Sequence, residues 1–304
     1  MSNADQTLNV LLVDAFCDQA FAGNPAGVVL DGEGLSDAAM QKVARELNAS
    51  ETAFAVGIGP KHARLRYFTP ACEVNYCGHA TVAALSALVW ENRVDLGEEP
   101  LELTLQTKAG VLSARLHPHP YYGVEVVQTQ AKPLFADFGY SLDLLGAVLG
   151  LESYQIPAGW PLGRAYTGLW ALVVPVASAD AMRAAKPDFV ALAQLNEKLG
   201  CASTHLYTFQ GERQILCRDF SPAVGVNEDP VTGSASGATA ALLVKENAVK
   251  RTPPTTIVQM EQGANLGRPG RVRIEVDHED SEVRAVRMAG TAVLSLRGQM
   301  VWPG

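Results

Sequence analysis

A segment near residue 70 of this 304-residue chain recurs near residue 222, and this repetition constrains the fold more than any other feature. Residues 68–75 read FTPACEVN and residues 220–227 read FSPAVGVN, so five of the eight positions are identical. Self-similarity of this length indicates two structurally similar halves. Clefts between such halves are favoured ligand sites. We therefore predict an α/β (α+β) fold of two similar domains related by pseudo-twofold symmetry.

A second block follows each copy of the repeat and predicts a pair of similar helices. Residues 77–83 (CGHATVA) correspond to residues 232–238 (TGSASGA), and alanine-rich stretches continue from both. We expect buried helices to about Trp90 and Glu246. The second copy carries three additional residues between its blocks, including Glu228-Asp229-Pro230. Because the polar residues differ between the copies, the cleft should be chemically asymmetric.

Composition and charge limit the classes of partner. The formal net charge of −8 and the pI near 5.3 argue against nucleic acid and an anionic membrane surface as main partners. Hydrophobic residues make up 48% and charged residues 18%, which is a globular composition with ample core. Five widely spaced cysteines, without a recognisable secretion signal or membrane-spanning run, indicate free thiols in the cytoplasm.

The domain boundary is predicted at His117-Pro118-His119-Pro120, a stiff segment unsuited to continued regular structure. This places a first domain at residues 5–117 and a second at residues 118–289. A C-terminal strand of about residues 290–304 is expected to pack on the first domain.

The spacing of apolar residues predicts several individual helices and strands. Ser36 is a suitable N-cap for a helix over residues 37–47. Residues 179–199 show a helical pattern that is interrupted at Pro187. Strand patterns cover residues 283–296.

The two glycine-led helix starts are candidate anion sites. A helix N-terminus offers unpaired backbone N–H groups and the positive end of the helix dipole. Gly78 and Gly233 carry no side chain that would keep a ligand from that backbone. Two such termini facing one cleft would hold a carboxylate or a similar anion. The alternative is that the glycines only allow close helix packing.

Glu51 is the candidate general acid and base. It stands at a helix-to-strand turn ahead of an apolar strand, where a carboxylate can acquire the raised pKa that proton transfer requires. Its counterpart in the second half lies near Ser203-Thr204, which cannot do that work. The alternative is a solvated loop glutamate.

His79 and Cys77 stand at the first turn of the first alanine-rich helix. His79 occupies the end of a helix that we expect to bind ligand, although a lone histidine can also be structural. A thiol at a helix N-terminus can act as a nucleophile or base. The position matching Cys77 is Thr232, so two opposed thiols are absent and Cys77 is interpreted as a structural or ligand-wall residue.

Asp229 and Ser234 supply polar groups from the second half. Asp229 could orient His79 or contact a substrate amine or hydroxyl, and the alternative is turn formation with helix capping. Ser234 matches His79 and could donate a hydrogen bond to substrate, or serve only helix initiation. Nucleotide, metal and hydrolase-elbow motifs are not found, so we predict neither a cofactor nor a metal.

Together these residues resemble the PhzF-like isomerase family of phenazine biosynthesis. The matching pieces cover most of the chain in family order: residues 14–16, 21–26, 48–54, 68–70, 77–81 and 220–234. The resemblance implies a diaminopimelate-epimerase-like fold, in which each domain is a mixed, barrel-like sheet around one central helix. It also implies an enzyme that needs no cofactor, acts on a small anionic substrate and forms a homodimer.

The roles implied by the resemblance fall on residues of both halves. Glu51 would be the proton shuttle, with His79 and Asp229 as the other catalytic residues. The expected substrate contacts are Asn24, Cys77, Gly78, Thr232, Gly233 and Ser234. Relatives that racemise or epimerise amino acids use two cysteines, and Thr232 departs from that pattern.

Three functions remain open from the sequence. The first is an isomerase in which Glu51 moves a proton on a small unsaturated or cyclic (amino) acid. The second is a non-catalytic protein that binds small anions, and the third is an amino-acid epimerase or dehydratase. Proton exchange with solvent distinguishes a catalyst from a binder.

Overall fold

The computed structural model describes residues 6–302, which fall into two compact units. The first unit takes the chain up to Gln128 and resumes at Gly290, and the second comprises residues 129–289. The boundary that we placed at residue 117 lies inside a strand, because Pro118 occupies a strand position opposite Val124 rather than a break.

Strands predominate in the chain up to the start of the second unit. In chain order the elements are β1 (Gln6–Ala15), β2 (Asn24–Val29), α1 (Asp37–Leu47), β3 (Glu51–Gly59), β4 (His62–Phe68), β5 (Glu73–Val74), α2 (Gly78–Trp90), β6 (Leu101–Thr107), β7 (Gly110–His119) and β8 (Gly123–Thr129).

Helices are more frequent in the rest of the chain. The elements are β9 (Leu134–Ala136), α3 (Leu142–Leu149), β10 (Gly163–Tyr166), β11 (Trp170–Pro175), α4 (Ala179–Ala184), α5 (Phe189–Leu199), β12 (Ser203–Phe209), β13 (Gln214–Ser221), β14 (Val226–Asp229), α6 (Gly233–Lys245), β15 (Thr255–Gln262), β16 (Gly270–Glu279), β17 (Glu282–Gly290) and β18 (Ala292–Trp302).

Strand pairing follows one succession in both units. In the first unit the order is β18-β1-β2-β3-β4-β6-β7-β8, with β2–β3 and β4–β6 parallel and the other pairs antiparallel. In the second unit the order is β9-β10-β11-β12-β13-β15-β16-β17, and the corresponding pairs β11–β12 and β13–β15 are parallel. The two units are therefore similar mixed sheets, as predicted.

One buried helix lies against each sheet. Every residue of α2 from His79 to Leu88 is buried, and the helix contacts β1, β2, β3 and β18. In α6 every residue from Ala235 to Val244 is buried, against strands that include β10, β11, β12 and β16. Alanine-rich helices suit this position because small side chains let the surrounding strands approach closely. Both helices match the predicted ones.

A second helix of the first unit, α1, packs its apolar face into the core. The Ser36 hydroxyl caps α1 by accepting from the N–H of Ala39 at 3.2 Å, as expected. Apolar residues on one face of α1, including Met40 and Val43, pack in a core with Phe54 and other residues of β2, β3 and β4. The outward face remains polar, which is the pattern of an amphipathic surface helix.

Two predicted elements are each divided in the structure. The helical pattern of residues 179–199 forms α4 and α5, because Pro187 cannot continue a helix, and Asp188 caps α5. The run over residues 283–296 forms β17 and β18, because the C=O of Thr291 accepts from the N–H of Phe16 and its hydroxyl donates to the C=O of Cys17. None of the helices within residues 6–302 combines the length and apolar character needed to cross a membrane.

Candidate active site

The end of α1 positions Glu51. Asn48 adopts a left-handed conformation, with φ of 52°, and its N–H donates to the C=O of Ala44 at 3.1 Å, which ends the helix. Three residues later Glu51 opens β3, opposite Ala26 of β2. Its side chain is 22% exposed, so it is not the fully solvated loop carboxylate of the alternative interpretation.

Glu51, Cys77 and His79 form a compact cluster in the first unit. The Oε2 atom of Glu51 lies 3.3 Å from Nε2 of His79. Sγ of Cys77 lies 3.3 Å from Nδ1 and 3.9 Å from Nε2 of the same ring. The hydroxyl oxygen of Ser50 lies 3.2 Å from Nε2. The carboxylate and the thiol thus both contact the imidazole, an arrangement that the sequence analysis did not predict.

Burial sets the charge of the imidazole. The side chain of His79 is 10% exposed. Burial lowers the pKa of His79 because the imidazolium loses hydration, and the neighbouring Glu51 carboxylate opposes that effect. The lowered pKa favours a neutral ring near pH 7. A neutral ring with its proton on Nε2 can donate to the Glu51 carboxylate and hold that group in place.

The first turn of α2 has backbone N–H groups that do not take part in intrahelical hydrogen bonds. Cys77 is the N-cap residue and makes no side-chain capping bond. The N–H of Thr81 donates to the C=O of Cys77 at 3.0 Å, so the N–H groups of Gly78, His79 and Ala80 precede the first intrahelical bond. These donors and the helix dipole make this terminus suitable for an anion.

The second unit repeats this arrangement with different side chains. Thr232 is the N-cap of α6 and likewise makes no side-chain capping bond, because its hydroxyl donates to Oδ2 of Asp229. The side-chain amide of Gln262 donates to the C=O of Asp229 at 2.8 Å and to the hydroxyl of Thr232 at 3.1 Å. Asp229 is therefore held beside the start of α6, with Gly233 buried and Ser234 half-buried next to it.

The predicted site residues thus form two groups, one in each unit. Glu51, Cys77, Gly78 and His79 come together in the first, and Asp229, Thr232, Gly233 and Ser234 lie together in the second. Asn24 begins β2, is fully buried and stands opposite Ala15 of β1. The convergence of the two groups on one ligand stays a prediction.

Sequence reasoning missed two glutamines that hold the helix starts. The amide of Gln128 donates to the C=O of Gly78 at 3.1 Å, and the amide of Gln130 donates to the C=O of Gly233 at 2.9 Å. The tripeptide Gln128-Thr129-Gln130 carried a signal that could have been read: two amides at alternate positions of one extended segment.

An arginine–glutamate pair beside each copy of the repeat was also missed. Nε of Arg66 lies 2.8 Å from Oε1 of Glu73, and Nε of Arg218 lies 2.8 Å from Oε1 of Glu228. Each guanidinium also stands over the phenylalanine two positions later, at 5.1 Å and 4.8 Å from the ring centre. The second pair anchors the strand that carries Asp229.

The fold and this geometry define a class: two-unit α/β proteins with a carboxylate–imidazole–thiol cluster at a helix N-terminus. A family model described as "Phenazine biosynthesis-like protein" matches residues 13–298. The chain belongs to this family, which confirms the resemblance found in the sequence.

Individual relatives agree with the family assignment. A protein of Deinococcus radiodurans named "Uncharacterized isomerase" is 37% identical over 96% of this chain and 94% of its own length. The "Trans-2,3-dihydro-3-hydroxyanthranilate isomerase" of Pseudomonas fluorescens is 30% identical over 96% of this chain and 99% of its own. The crystal structure of a Bacillus anthracis phenazine biosynthesis protein of the PhzF family is 31% identical, covers 97% and 99% of the two chains and superposes with a TM-score of 0.88.

Proposed function

We propose that this protein is an isomerase that needs no cofactor and moves a proton on a small unsaturated or cyclic (amino) acid. The observation that carries the proposal is the Glu51 carboxylate, partly exposed and 3.3 Å from a buried histidine at the uncapped start of α2. The names of the curated relatives, which are isomerases, support this reaction class.

The proposed reaction uses one acid–base group. The Glu51 carboxylate removes a proton from a carbon of the substrate and becomes a carboxylic acid. It then delivers a proton to another carbon on the same face, so that no net proton is gained or lost. Because Glu51 is partly exposed, its carboxylic acid exchanges the proton with water between the two steps, and solvent deuterium can enter the product. His79 holds Glu51 in position through its ring N–H, and the N–H groups at the start of α2 hold a substrate carboxylate.

The second unit would contribute recognition rather than a second base. Asp229 would accept from a substrate amine or hydroxyl, and Thr232, Gly233 and Ser234 would present polar groups at the start of α6. Asn24 would complete the substrate contacts. These assignments rest on the family resemblance. We also propose a homodimer on the same basis, and a cytoplasmic location on the basis of the free cysteines.

Deuterium exchange tests the proposal directly. The purified protein is incubated in deuterium oxide with dihydro-hydroxyanthranilate-like acids, after a thermal-shift screen has identified those that bind the folded state. We expect product and recovered substrate to gain deuterium at carbon, detected by mass spectrometry. An acid that raises the melting temperature without any exchange would instead identify a non-catalytic anion-binding protein.

Replacing Cys77 by alanine is expected to retain substantial turnover. The thiol contacts Nδ1 of His79 at 3.3 Å, and a hydrogen bond of this kind contributes about 1 kcal/mol, so the loss should stay within about tenfold. The matching position holds Thr232, and a two-thiol mechanism has no second partner there. Steady-state kinetics of the alanine variant measures the effect, and a complete loss of turnover would favour thiol chemistry.

A further inference from the structure

The cluster that supports proton transfer also has the donor set of a transition-metal site. Thiolate sulfur, imidazole nitrogen and carboxylate oxygen are the ligand atoms that proteins offer to zinc. One such atom from each of Cys77, His79 and Glu51 lies within 4.8 Å of the other two. Within the described residues, this is the cluster in which three different metal-ligating chemistries come together.

The donor atoms lie near, but not at, the spacing of tetrahedral coordination. Bonds of about 2.3 Å to sulfur and about 2.0–2.1 Å to nitrogen or oxygen place tetrahedral donors about 3.3–3.6 Å apart. Nε2 of His79 lies 3.9 Å from Sγ of Cys77 and 3.3 Å from Oε2 of Glu51. Sγ also lies 3.3 Å from Nδ1, so the Cys77 side chain must rotate toward Nε2 before the three atoms can surround one ion.

We propose that Cys77, His79 and Glu51 form an inhibitory Zn²⁺ site. The ion takes Sγ, Nε2 and a carboxylate oxygen as ligands, and water completes the tetrahedron. Binding replaces the thiol proton by the metal, and that proton passes to solvent. The ring of His79 takes the tautomer with its proton on Nδ1, which frees Nε2 for the ion. Ser50 gives up its contact with Nε2 when the ion binds.

The charges around the site can support a divalent ion. The thiolate and the carboxylate supply two negative charges, which offset the unfavourable positive end of the α2 dipole. The chain as a whole carries a net charge of −8. Glu51 is partly exposed, so an ion can reach the cluster from solvent.

The inhibitory effect of the ion rests on the proposed function, because the ion occupies Glu51, the proposed proton shuttle. The binding of the ion to the cluster does not rest on the proposed function. If zinc binds at the cluster but no tested acid is isomerised, the proposed function fails and the metal site stands. If turnover is measured and zinc neither binds nor inhibits, the metal site fails and the proposed function stands.

Cobalt is the probe for the test, since Co²⁺ occupies zinc sites and its bond to a thiolate gives a charge-transfer absorption band. Titration of the metal-free protein with Co²⁺ should give this band at one ion per chain, and added Zn²⁺ should abolish it. Cys77→Ser should lose the band. Cys72→Ser, which removes an exposed thiol outside the cluster, should keep it.

Glu51→Gln provides a second variant that leaves the buried thiol and helix untouched. Loss of partners outside the coordination shell typically costs about 10–100-fold in metal affinity, so loss of a direct ligand should weaken Co²⁺ binding at least about tenfold. Circular dichroism establishes that each variant is folded. Absence of the band in the wild-type protein, its persistence in Cys77→Ser, or unchanged affinity in Glu51→Gln would each overturn the proposal.

Discussion

Replacing Glu51 by glutamine should remove turnover while leaving the fold and ligand binding intact. The amide has the shape of the carboxylate but cannot accept and return the migrating proton. Loss of general acid–base catalysis costs about a hundredfold to ten-thousandfold in rate. Turnover is measured as solvent deuterium entering the product, and binding as the thermal shift produced by the same acid.

A matched control shows whether the effect is specific to the Glu51 carboxylate or follows from replacing any glutamate. Glu98 is an exposed loop residue, and Glu98→Gln should isomerise at the wild-type rate. Turnover in Glu51→Gln similar to that of the wild type would end the assignment of Glu51 as the proton shuttle. A variant that neither binds nor turns over would instead place Glu51 among the residues needed for affinity.

Replacing Gly23 by alanine should destabilise the first unit strongly. Gly23 has φ of +60°, and a Cβ atom there would lie 2.1 Å from the backbone oxygen of Ala15. The left-handed conformation costs about 1–2 kcal/mol and forced overpacking about 1–3 kcal/mol, so the free energy of unfolding should fall by about 2–5 kcal/mol. Urea denaturation measures this change.

Gly34 provides the comparison that isolates the steric part. It also has a left-handed conformation, with φ of +82°, but no atom lies within 4 Å of the position of a Cβ. Gly34→Ala should therefore show only the conformational cost of about 1–2 kcal/mol. Equal losses in the two variants would mean that the close approach of Ala15 does not constrain the turn before Asn24.

The repeat allowed the corresponding strands of the two units to be predicted, because its two copies lie at equivalent strand positions. Thr52 stands opposite Phe68 in the first unit, and Thr204 stands opposite Phe220 in the second. One residue earlier are Glu51 and Ser203, in agreement with the counterpart expected from the sequence. A side-chain period of two on a strand fixes this correspondence once one pair is aligned.

Other elements depended on information that local sequence does not carry. The helix α3 is short and contains Gly146, so its apolar residues did not form a convincing periodic pattern, although Ser141 caps it. The break at Thr291 depends on hydrogen bonds with Phe16 and Cys17, which are far away along the chain. The alternation of Gln128 and Gln130 is visible in the sequence, but their carbonyl partners, Gly78 and Gly233, are distant along the chain and follow only from the fold.

The pairing of β1 with β18 has a consequence for the order of events on the ribosome. β1 lies between β2 and β18, with Leu8 opposite Met300, whereas residues 129–289 of the second unit are continuous. Domains fold as units while the chain is made from its N-terminus. The second unit is therefore fully synthesised before the first unit receives its closing strand. Until β18 emerges, β1 presents an unpaired edge that can pair with other nascent chains. A chain released early, between residues 290 and 302, would have its second unit complete and its first unit open.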